Sequence, residues 1–566
     1  MKDYVYMICV DGDDNHNKFY EAILNDDYSI HVNYGRVGGK SNPHDYEAGE
    51  KNWAMLIHSK EMKGYNIVKR GLTETRIVDK NISDADYNTI KEEDIRAFVK
   101  YTIESCEQFM KETYTVKPNE ITPNMISNAE VLMARLEKIE QEYLDATDRS
   151  QKSWKLREFN QILQDLYTSI PRKMEKVADH LLNTGGSYSK TWMDNFLDAE
   201  KDRLETARLA SVASRQTANV TVQGISGSKN ILKDNGLDIR HITYAEEDKV
   251  LELLYPRNFN KLNNVDTCMN ILAVINPKTT DSYNTYKANN GIKAERLLWH
   301  GTDINNVWSI IKNGMIISSK RSPKGGRAFG NGLYFADKSE KSKNYTTVKG
   351  AYRNTNKEKD NRHSGWLLLY DVATGNEYRT HDTYIDGSGL MKTKGYNSLQ
   401  YMAGGGGDFQ DNETVVYDAN ACNIRYVVEV KESAHPLIYS LPYSTRKALT
   451  FEGAIDIDRT GDSINFVVDT NRLDPQTRHI LFGETNLPVT IAYDKQTDRI
   501  NGKFKALLSP CDMKWIMRQM KKEFAESNDA FTKFLDTPPE RENEFAKSED
   551  IIIVKKRKHR QKGMEL

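Results

Sequence analysis

Leu297-Leu298-Trp299-His300-Gly301-Thr302 is an apolar, strand-like run closed by histidine and glycine, and its reading decides the rest of the chain. Downstream stand Phe329-Gly330-Asn331-Gly332-Leu333-Tyr334-Phe335-Ala336-Asp337, then Lys341-Ser342-Lys343-Asn344-Tyr345, and then Asn412-Glu413-Thr414-Val415-Val416-Tyr417. Each stretch alone is ordinary. A His-Gly pair after an apolar strand is usually a turn, and Gly330-Asn331-Gly332 reads as a loop. Ser342 and Tyr345 alone would be surface helix positions, and a glutamate opening a strand is usually solvated. The information lies in their joint order over residues 297–417.

Outward from this stretch, the chain is mixed, with strand-like runs at 296–299, 366–372, 414–417 and 424–430 and dense glycine between 301 and 407. The first 80 residues are β-rich. Runs at 4–10, 19–24 and 28–34 are separated by Asp/Asn/Gly clusters, as in antiparallel strands joined by turns. Asn33-Tyr34-Gly35-Arg36-Val37-Gly38-Gly39-Lys40 reads as a glycine-punctuated turn, and Trp53, Leu56 and Ile57 as one helix on the sheet. From about 90 to 210 the period becomes helical. Ile95, Phe98, Val99, Cys106, Phe109 and Met110 share a face, and Ala129, Leu132, Met133, Leu136, Ile139 and Tyr143 share another. That second helix opens with Thr122 as N-cap and Pro123 in the first turn. A third helix, through Leu156, Phe159, Leu163 and Leu166, stops before Pro171. Another holds Trp192, Phe196 and Leu204. Residues 211–229 read as a linker. Past 435 a mixed segment predicts strands at 464–468 and 489–493 and a helix at 513–524. It ends in the basic run 555–560.

Composition excludes several classes. The chain has 566 residues, 38% hydrophobic and 28% charged, so several folded domains are expected. Eighty Lys+Arg against eighty-one Asp+Glu leave a net charge of -1, and nucleic-acid binding would need a local patch. Residues 1–80 hold 11 Lys/Arg and 13 Asp/Glu, a net of -2, so even that part is not basic as a whole. The five cysteines are scattered without a C-x-x-C, which argues against a disulfide scaffold or a cysteine-rich zinc finger and favours a reducing compartment. No apolar run approaches the roughly 18 residues of a membrane span. The stretch 4–10 lacks the length and flanks of a signal peptide.

In order and spacing, the four quoted stretches resemble the catalytic domain of the poly(ADP-ribose) polymerases. The surroundings of Asn33 to Gly38 resemble that family's Trp-Gly-Arg domain, with Tyr34 in place of the signature tryptophan. The helical segment resembles its regulatory domain, including Met193-Asp194-Asn195-Phe196-Leu197-Asp198. The resemblance covers roughly residues 1–430 in the domain order of the short, zinc-finger-free nuclear members. It implies a multidomain α+β chain: a β-rich DNA or interaction domain over 1–80, an all-helical regulatory domain over 90–210 and a linker over 211–229. A mixed α/β ADP-ribosyltransferase domain follows over 230–434, then an extension without an assigned role over 435–548 and a basic tail over 549–566. The implied activity is a DNA-break-responsive transfer of ADP-ribose from NAD+ to proteins, itself included, with growth of poly(ADP-ribose) and release of nicotinamide. A mono-ADP-ribosyltransferase of the same fold and a catalytically silent DNA-end-binding scaffold are the alternatives.

The resemblance also assigns residues. Gly301 and Ser342 would bind the nicotinamide amide, Tyr345 and Tyr334 would sandwich the ring, and His300 would bond the adenosine ribose with Thr302 alongside. Glu413 would bond the 2′-hydroxyl of the nicotinamide ribose, and Glu413, His300 and Tyr334 form the catalytic set. Such a site suits a reaction whose transition state resembles an oxocarbenium ion, since it needs one negative charge near the developing cation. Asp194 and Asp198 at i and i+4 repel slightly; in the family these positions face the NAD+ site as a gate that a DNA break loosens. Tyr34 would stack at a broken DNA end and Arg36 would bridge to the gate. The expected partners are DNA strand breaks, protein acceptors and poly(ADP-ribose), plus an accessory protein completing the acceptor site. No metal and no membrane is expected, and 555–560 suggests a nuclear address. Two departures stand out. An arginine that many members place near the adenine falls on Ile316, and Lys324-Gly325-Gly326-Arg327 reads as either a phosphate contact or a solvated donor loop.

Overall fold

Alternating apolar and polar side chains fold the N-terminal residues into an antiparallel sheet of β1 (Asp3–Asp11), β2 (His16–Leu24), β3 (Ile30–Arg36), β4 (Ser41–Tyr46) and β5 (Asn66–Arg70), in the order β4-β3-β2-β1-β5. One face carries Val5, Met7, Tyr20, Ala22, Ile30 and Val32, and Leu56 and Ile57 of helix α1 (Trp53–Glu61) cover it. β4 is an exposed edge strand containing Pro43, which cannot donate to a further strand. The turn expected at 33–40 is shorter. Tyr34 and Arg36 lie on β3, with Tyr34 opposite Tyr20 on one side and Asn42 on the other, because ladder bonds to both neighbours hold this stretch extended.

The computed structural model describes residues 2–12, 15–70, 82–220, 230–255, 267–317, 328–346, 364–383, 385–404, 409–431, 438, 441, 443–460, 463–494, 499–505 and 508–524. The Lys324–Arg327 run and the basic tail therefore lie outside the described residues. By internal contacts the chain divides into two units: Met1–His241 with Leu272–Lys359 and Trp366–Val427, and Ile242–Ile271 with Asp360–Gly365 and Val428–Leu566.

In the first unit a helical region follows the sheet: α2 (Asp84–Tyr87), α3 (Glu93–Thr113), α4 (Pro123–Asp145), α5 (Arg149–Ser169) and α6 (Lys190–Val220). Thr122 caps α4 with Pro123 at its first position, and α5 ends just short of Pro171, both for the backbone reasons read from sequence. The linker expected to begin at 211 begins later. α6 runs on through Val220, because buried Ser211 returns its hydroxyl to the Arg208 carbonyl within the helix instead of leaving it. Residues 221–229 of the expected linker lie outside the described residues.

Arg172 and Glu200, both buried, tie the segment after α5 to α6 through a hydrogen bond of 2.9 Å and an ion-pair contact of 2.7 Å, and the Arg172 guanidinium lies 4.4 Å from the Tyr167 ring centroid. The N-terminal domain grips the same segment by its backbone. Asn17 donates to the Arg172 and Met174 carbonyls, Asn15 accepts from the Val177 N–H, and Arg36 donates to the Glu175 carbonyl.

The next elements are α7 (Ile231–Asp234), β6 (Asp238–His241), α8 (Tyr244–Leu254), β7 (Thr267–Ile275), α9 (Pro277–Asn289), β8 (Arg296–Gly301), α10 (Ile304–Asn313), β9 (Leu333–Phe335) and α11 (Ser339–Lys343). They are followed by β10 (Ser364–Val372), β11 (Glu377–Thr380), α12 (Gly387–Lys394), β12 (Ser398–Tyr401), β13 (Glu413–Val416) and β14 (Cys422–Lys431). The strands form a five-stranded sheet ordered β6-β7-β14-β10-β8 and a four-stranded sheet ordered β11-β12-β13-β9. Phe98 of α3 and Leu209 of α6 belong to the same buried cluster as Leu298, Val307, Trp366 and Leu368, so the helical region shares a core with these sheets.

In the second unit the segment beyond 435 folds into α13 (Tyr443–Ala448), β15 (Ile455–Thr460), β16 (Ser463–Val468), α14 (Pro475–Leu481), β17 (Val489–Asp494), β18 (Arg499–Gly502) and α15 (Pro510–Phe524). Its four strands make an antiparallel meander. Arg518 of α15 pairs with Glu247 and Asp248 of α8, while buried Asp512 accepts from the Ile438 and Ser509 N–H groups.

Glu140 on α4 is buried, and one of its carboxylate oxygens has no hydrogen-bond partner. Burial first, and then the charge of Asp194, push its pKa up to about 7. A carboxyl raised in the folded state binds more protons there than when unfolded, so its charge costs stability as pH rises between the unfolded value of 4.5 and about 7. Glu140→Gln is therefore expected to raise the urea midpoint at pH 8 and to leave it nearly unchanged at pH 4.5. An equal gain at both values would contradict the assignment.

Candidate active site

β8 delivers His300 and Gly301 to the place where the two sheets meet. Trp299 donates its N–H to the Ala336 carbonyl at 2.8 Å and accepts from the Ala336 N–H at 2.9 Å, an isolated bridge that binds β8 to the end of β9. His300 Nδ1 lies 3.0 Å from the Tyr334 carbonyl. A carbonyl can only accept, so the bond assigns the hydrogen to Nδ1 and leaves the Nε2 lone pair for a ligand. Burial pushes the imidazole pKa below its ordinary value of 6.5, opposed by the Tyr334 bond and the charge of Glu205. The ring is therefore neutral at neutral pH.

Gly301 is glycine because nothing larger fits. A Cβ there would stand 1.7 Å from the Ser342 carbonyl oxygen, so β8 and α11 touch backbone to backbone. The same contact brings buried Ser342 to Gly301. The Tyr345 N–H bonds back to the Ser342 carbonyl at 3.1 Å, and its ring remains 40% exposed, the open aromatic face of the cluster. The Tyr334 hydroxyl closes the loop before β9, donating to the Gly330 carbonyl at 2.7 Å and accepting from the Phe329 N–H at 3.1 Å. Thr302 accepts from the Asn306 side chain at the start of α10.

Glu413 opens β13, whose pairing with β9 sets Val415 opposite Tyr334 and Thr414 opposite Phe335. Its carboxylate forms an ion pair with Lys341, the residue before Ser342, and both side chains are largely buried. The loop ahead of it is pinned by Asn412, which donates to Asp337 at 2.8 Å and accepts from the Ala403 N–H, and by the Lys338–Asp411 pair. Arg296 bridges Thr414 and Glu377 behind the strand.

The structure thus brings together His300, Gly301, Thr302, Tyr334, Ser342, Tyr345 and Glu413. The other candidates have partners of their own. Asp194 pairs with Lys190 one turn back on α6, and Asp198 with Lys201, which also holds Glu137 of α4. Those lysines neutralise the expected repulsion between the two aspartates. Tyr34 and Arg36 lie on the N-terminal sheet, Tyr34 44% exposed.

On α6, Arg208 donates to the Ile316 carbonyl at 3.1 Å, and the charge of Glu205 acts to raise the His300 pKa. Lys312 of α10 answers by donating to the Ala213 carbonyl at 2.9 Å. Sequence reading passed over these, because a charged pair at i and i+3 on a long helix looks like a solvated face. Lys341 had a signal, its place beside Ser342. No group of three or more metal-ligating side chains occurs among the described residues, and none of their helices is long and apolar enough to cross a membrane.

Residues 249–432 match the poly(ADP-ribose) polymerase catalytic domain, and residues 4–71 match the WGR domain. Residues 249–432 are therefore a poly(ADP-ribose) polymerase catalytic domain. The site described above lies within an NAD+ ADP-ribosyltransferase domain, and NAD+ is the substrate of that domain. Among its relatives, a putative poly(ADP-ribose) polymerase-like protein of Invertebrate iridescent virus 6 is 28% identical over 197 residues, covering 33% of this chain and 97% of the viral protein. Poly(ADP-ribose) polymerase 2 of Arabidopsis thaliana is 29% identical over 27% of the chain, and that of Homo sapiens 32% over 24%. The matched regions span only 28% and 26% of those two relatives.

Gly301→Ala tests the backbone contact. The added methyl forces β8 from α11 and is expected to cost about 1–3 kcal/mol of stability, as overpacking does. It should also cost about 10²-fold in NAD+ turnover through misplacement. Thermal unfolding and nicotinamide release measure both, and wild-type turnover in the variant would show that the contact does not shape the site.

Proposed function

We propose that the chain transfers ADP-ribose from NAD+ to proteins, itself included, extends the product into poly(ADP-ribose), and does so faster at DNA strand breaks in the nucleus. The observation that carries the transfer is the convergence of neutral His300, the Gly301–Ser342 contact, Tyr334 and Glu413 at one bridge between two sheets.

In this reading the bond between the nicotinamide nitrogen and the ribose carbon breaks, and nicotinamide leaves with the bonding electron pair. Positive charge then builds on the ribose, where a carboxylate stabilises it. Glu413 is that carboxylate. Lys341 holds it in place before substrate arrives, which limits the cost of burying the charge. Ser342 and the Gly301 backbone fix the amide, and the exposed ring of Tyr345 offers a stacking face. His300 Nε2 accepts from a ribose hydroxyl. An acceptor oxygen then attacks the ribose carbon and gives up its proton. When the acceptor is itself a ribose hydroxyl the chain grows, and this step leans hardest on Glu413, because a hydroxyl is a poor nucleophile unless a carboxylate polarises it.

Response to DNA is supported by the WGR match and by the half-exposed ring of Tyr34 on β3. On the same strand, Arg36 bonds the segment that leads through Arg172 and Glu200 to α6. Labelled NAD+ incubated with the full chain, with and without nicked DNA, tests the whole reading. A high smear that deepens with DNA is expected. A discrete band would mean single-unit transfer, and no label would mean a silent scaffold.

Glu413→Gln keeps size and one acceptor oxygen but removes the charge. It should lose about 10²–10³ in rate, bind benzamide almost normally, and attach single units at most. Long polymer from this variant would move the catalytic carboxylate elsewhere. Tyr34→Ala and Arg36→Ala should weaken stimulation by nicked DNA at unchanged basal turnover. Full stimulation in both would place DNA sensing outside the N-terminal domain.

A further inference from the structure

We propose that Arg296, at the start of β8, is a positioning residue that sets the angle between the two sheets, and with it the place of the Glu413 carboxylate against the nicotinamide ribose. The inference rests on the reading of Glu413 as the carboxylate that steadies the developing cation. By its backbone Arg296 belongs to the five-stranded sheet, where it stands opposite Val372 of β10. Its side chain reaches three strands of the other sheet. Nη2 donates to the Thr414 hydroxyl of β13 at 2.8 Å and pairs with Glu377 of β11 at 2.9 Å. Gln400 of β12, its amide turned to suit both neighbours, accepts from Nη1 at 3.1 Å and donates to Glu377 at 3.0 Å. Gln400 and Thr414 stand directly opposite each other in the β12–β13 pairing, so the guanidinium grips one face of the sheet. Nε is buried and has no hydrogen-bond partner among the described residues. The side chain gives up that bond to keep its place over the three strands.

Successive side chains of a strand point to opposite faces. Thr414 faces Arg296, so Glu413, one position earlier, faces away from it and meets Lys341. Behind β13, Leu333, Phe335 and Val416 share a buried cluster with Leu298 and Tyr370 of the first sheet. Apolar contact of this kind attracts without direction and does not fix an angle. The Trp299–Ala336 bridge fixes a distance at one point. Arg296 comes three residues before Trp299, about 10 Å along the strand at roughly 3.3 Å per residue. A second directional tie there removes the rotation that one bridge allows. A planar guanidinium suits the task because its fork holds acceptors in a fixed plane. His300 and Gly301 ride on β8 and Glu413 on β13, so this angle decides whether a donor seated on one finds its ribose beside the other. A misplacement of about 1 Å can cost about 10²-fold in rate.

The experiment uses the full chain and follows nicotinamide release from NAD+, with benzamide and a cationic iminoribitol as binding probes in calorimetry. Benzamide titration counts the sites, so lost protein cannot pass for lost rate. Thr414→Val keeps the shape, removes the acceptor and changes no charge. It should lower kcat about tenfold, and Thr414→Ser, which retains the hydroxyl, should stay within about threefold of wild type. Arg296→Met should lower kcat by about tenfold to a hundredfold. Arg296→Lys should recover little, because an ammonium cannot span the fork. KM for NAD+ and benzamide affinity should move less than about threefold throughout, since both report binding. Affinity for the iminoribitol, whose positive ring stands in for the developing cation, should fall in parallel with kcat. A merely structural tie would lower the melting temperature of Arg296→Met and Thr414→Val and leave kcat per benzamide site unchanged, and that result overturns the proposal. So does a benzamide affinity that falls with kcat, because the site would then have come apart as a whole. Should Arg296→Met not fold, the two threonine variants decide. A wild-type chain that binds benzamide but consumes no NAD+ would sink the donor reading instead, and the iminoribitol series would still decide whether Arg296 places Glu413.

Discussion

The site depends on one pair of hydrogen bonds. Between Trp299 of β8 and Ala336 just past β9, backbone N–H and C=O groups are exchanged in an isolated bridge that no ladder extends. Apart from Glu413 on β13 and Tyr345 past α11, the residues expected to touch substrate lie within a few positions of it. His300 and Gly301 follow Trp299, Tyr334 precedes Ala336 by two positions, and α11 with Ser342 and Lys341 begins three residues after it. A ladder would have held the sheets more firmly but would have closed the space. A single bridge fixes their spacing and leaves the ends of β8 and β9 free to diverge around a ligand.

Around that bridge the design is one of early commitment. His300 is locked into one tautomer by a carbonyl, Glu413 is balanced by Lys341, and Arg208 by Glu205, so these partly buried charges each have a partner. Each pairing avoids the desolvation cost of a bare buried ion and sets a modest competition for an incoming group. Oriented groups that need no rearrangement during reaction are what a site stabilising a short-lived cation requires.

The catalytic elements were legible in sequence because their signals are local. The strand at 296–299 ended at its His-Gly pair, Pro123 and Pro171 marked helix ends, and β13 at 413–416 covers all but the last residue of the run 414–417. What was not legible depended on contacts between distant residues. Tyr34 and Arg36 read as a turn because glycines surround them, yet pairing with β2 and β4 holds them extended. The residues after 210 read as linker because serine and threonine dominate, yet a helix can absorb a serine whose hydroxyl returns to its own backbone. The partners of Asp194 and Asp198 were not legible either, because Lys190 and Lys201 of the same helix pair with them and Lys201 also holds Glu137 of α4. The meander beyond 435 was only partly seen, since β15 and β18 are polar strands that pairing, not composition, defines.

Helix α6 is a single rod of 31 residues, about 46 Å long at 1.5 Å per residue. Along it sit the Asp194 pairing to Lys190, the Glu200 pairing to Arg172, the Arg208 contact to Ile316 and the Lys312 bond at Ala213. Two turns separate Glu200 from Arg208, and no glycine or proline lies between them to act as a hinge. The two contacts are therefore mechanically one. One unbroken helix thus carries both the grip on the segment after α5 and the contact with the residues beyond α10, so neither can shift without moving the backbone that holds the other.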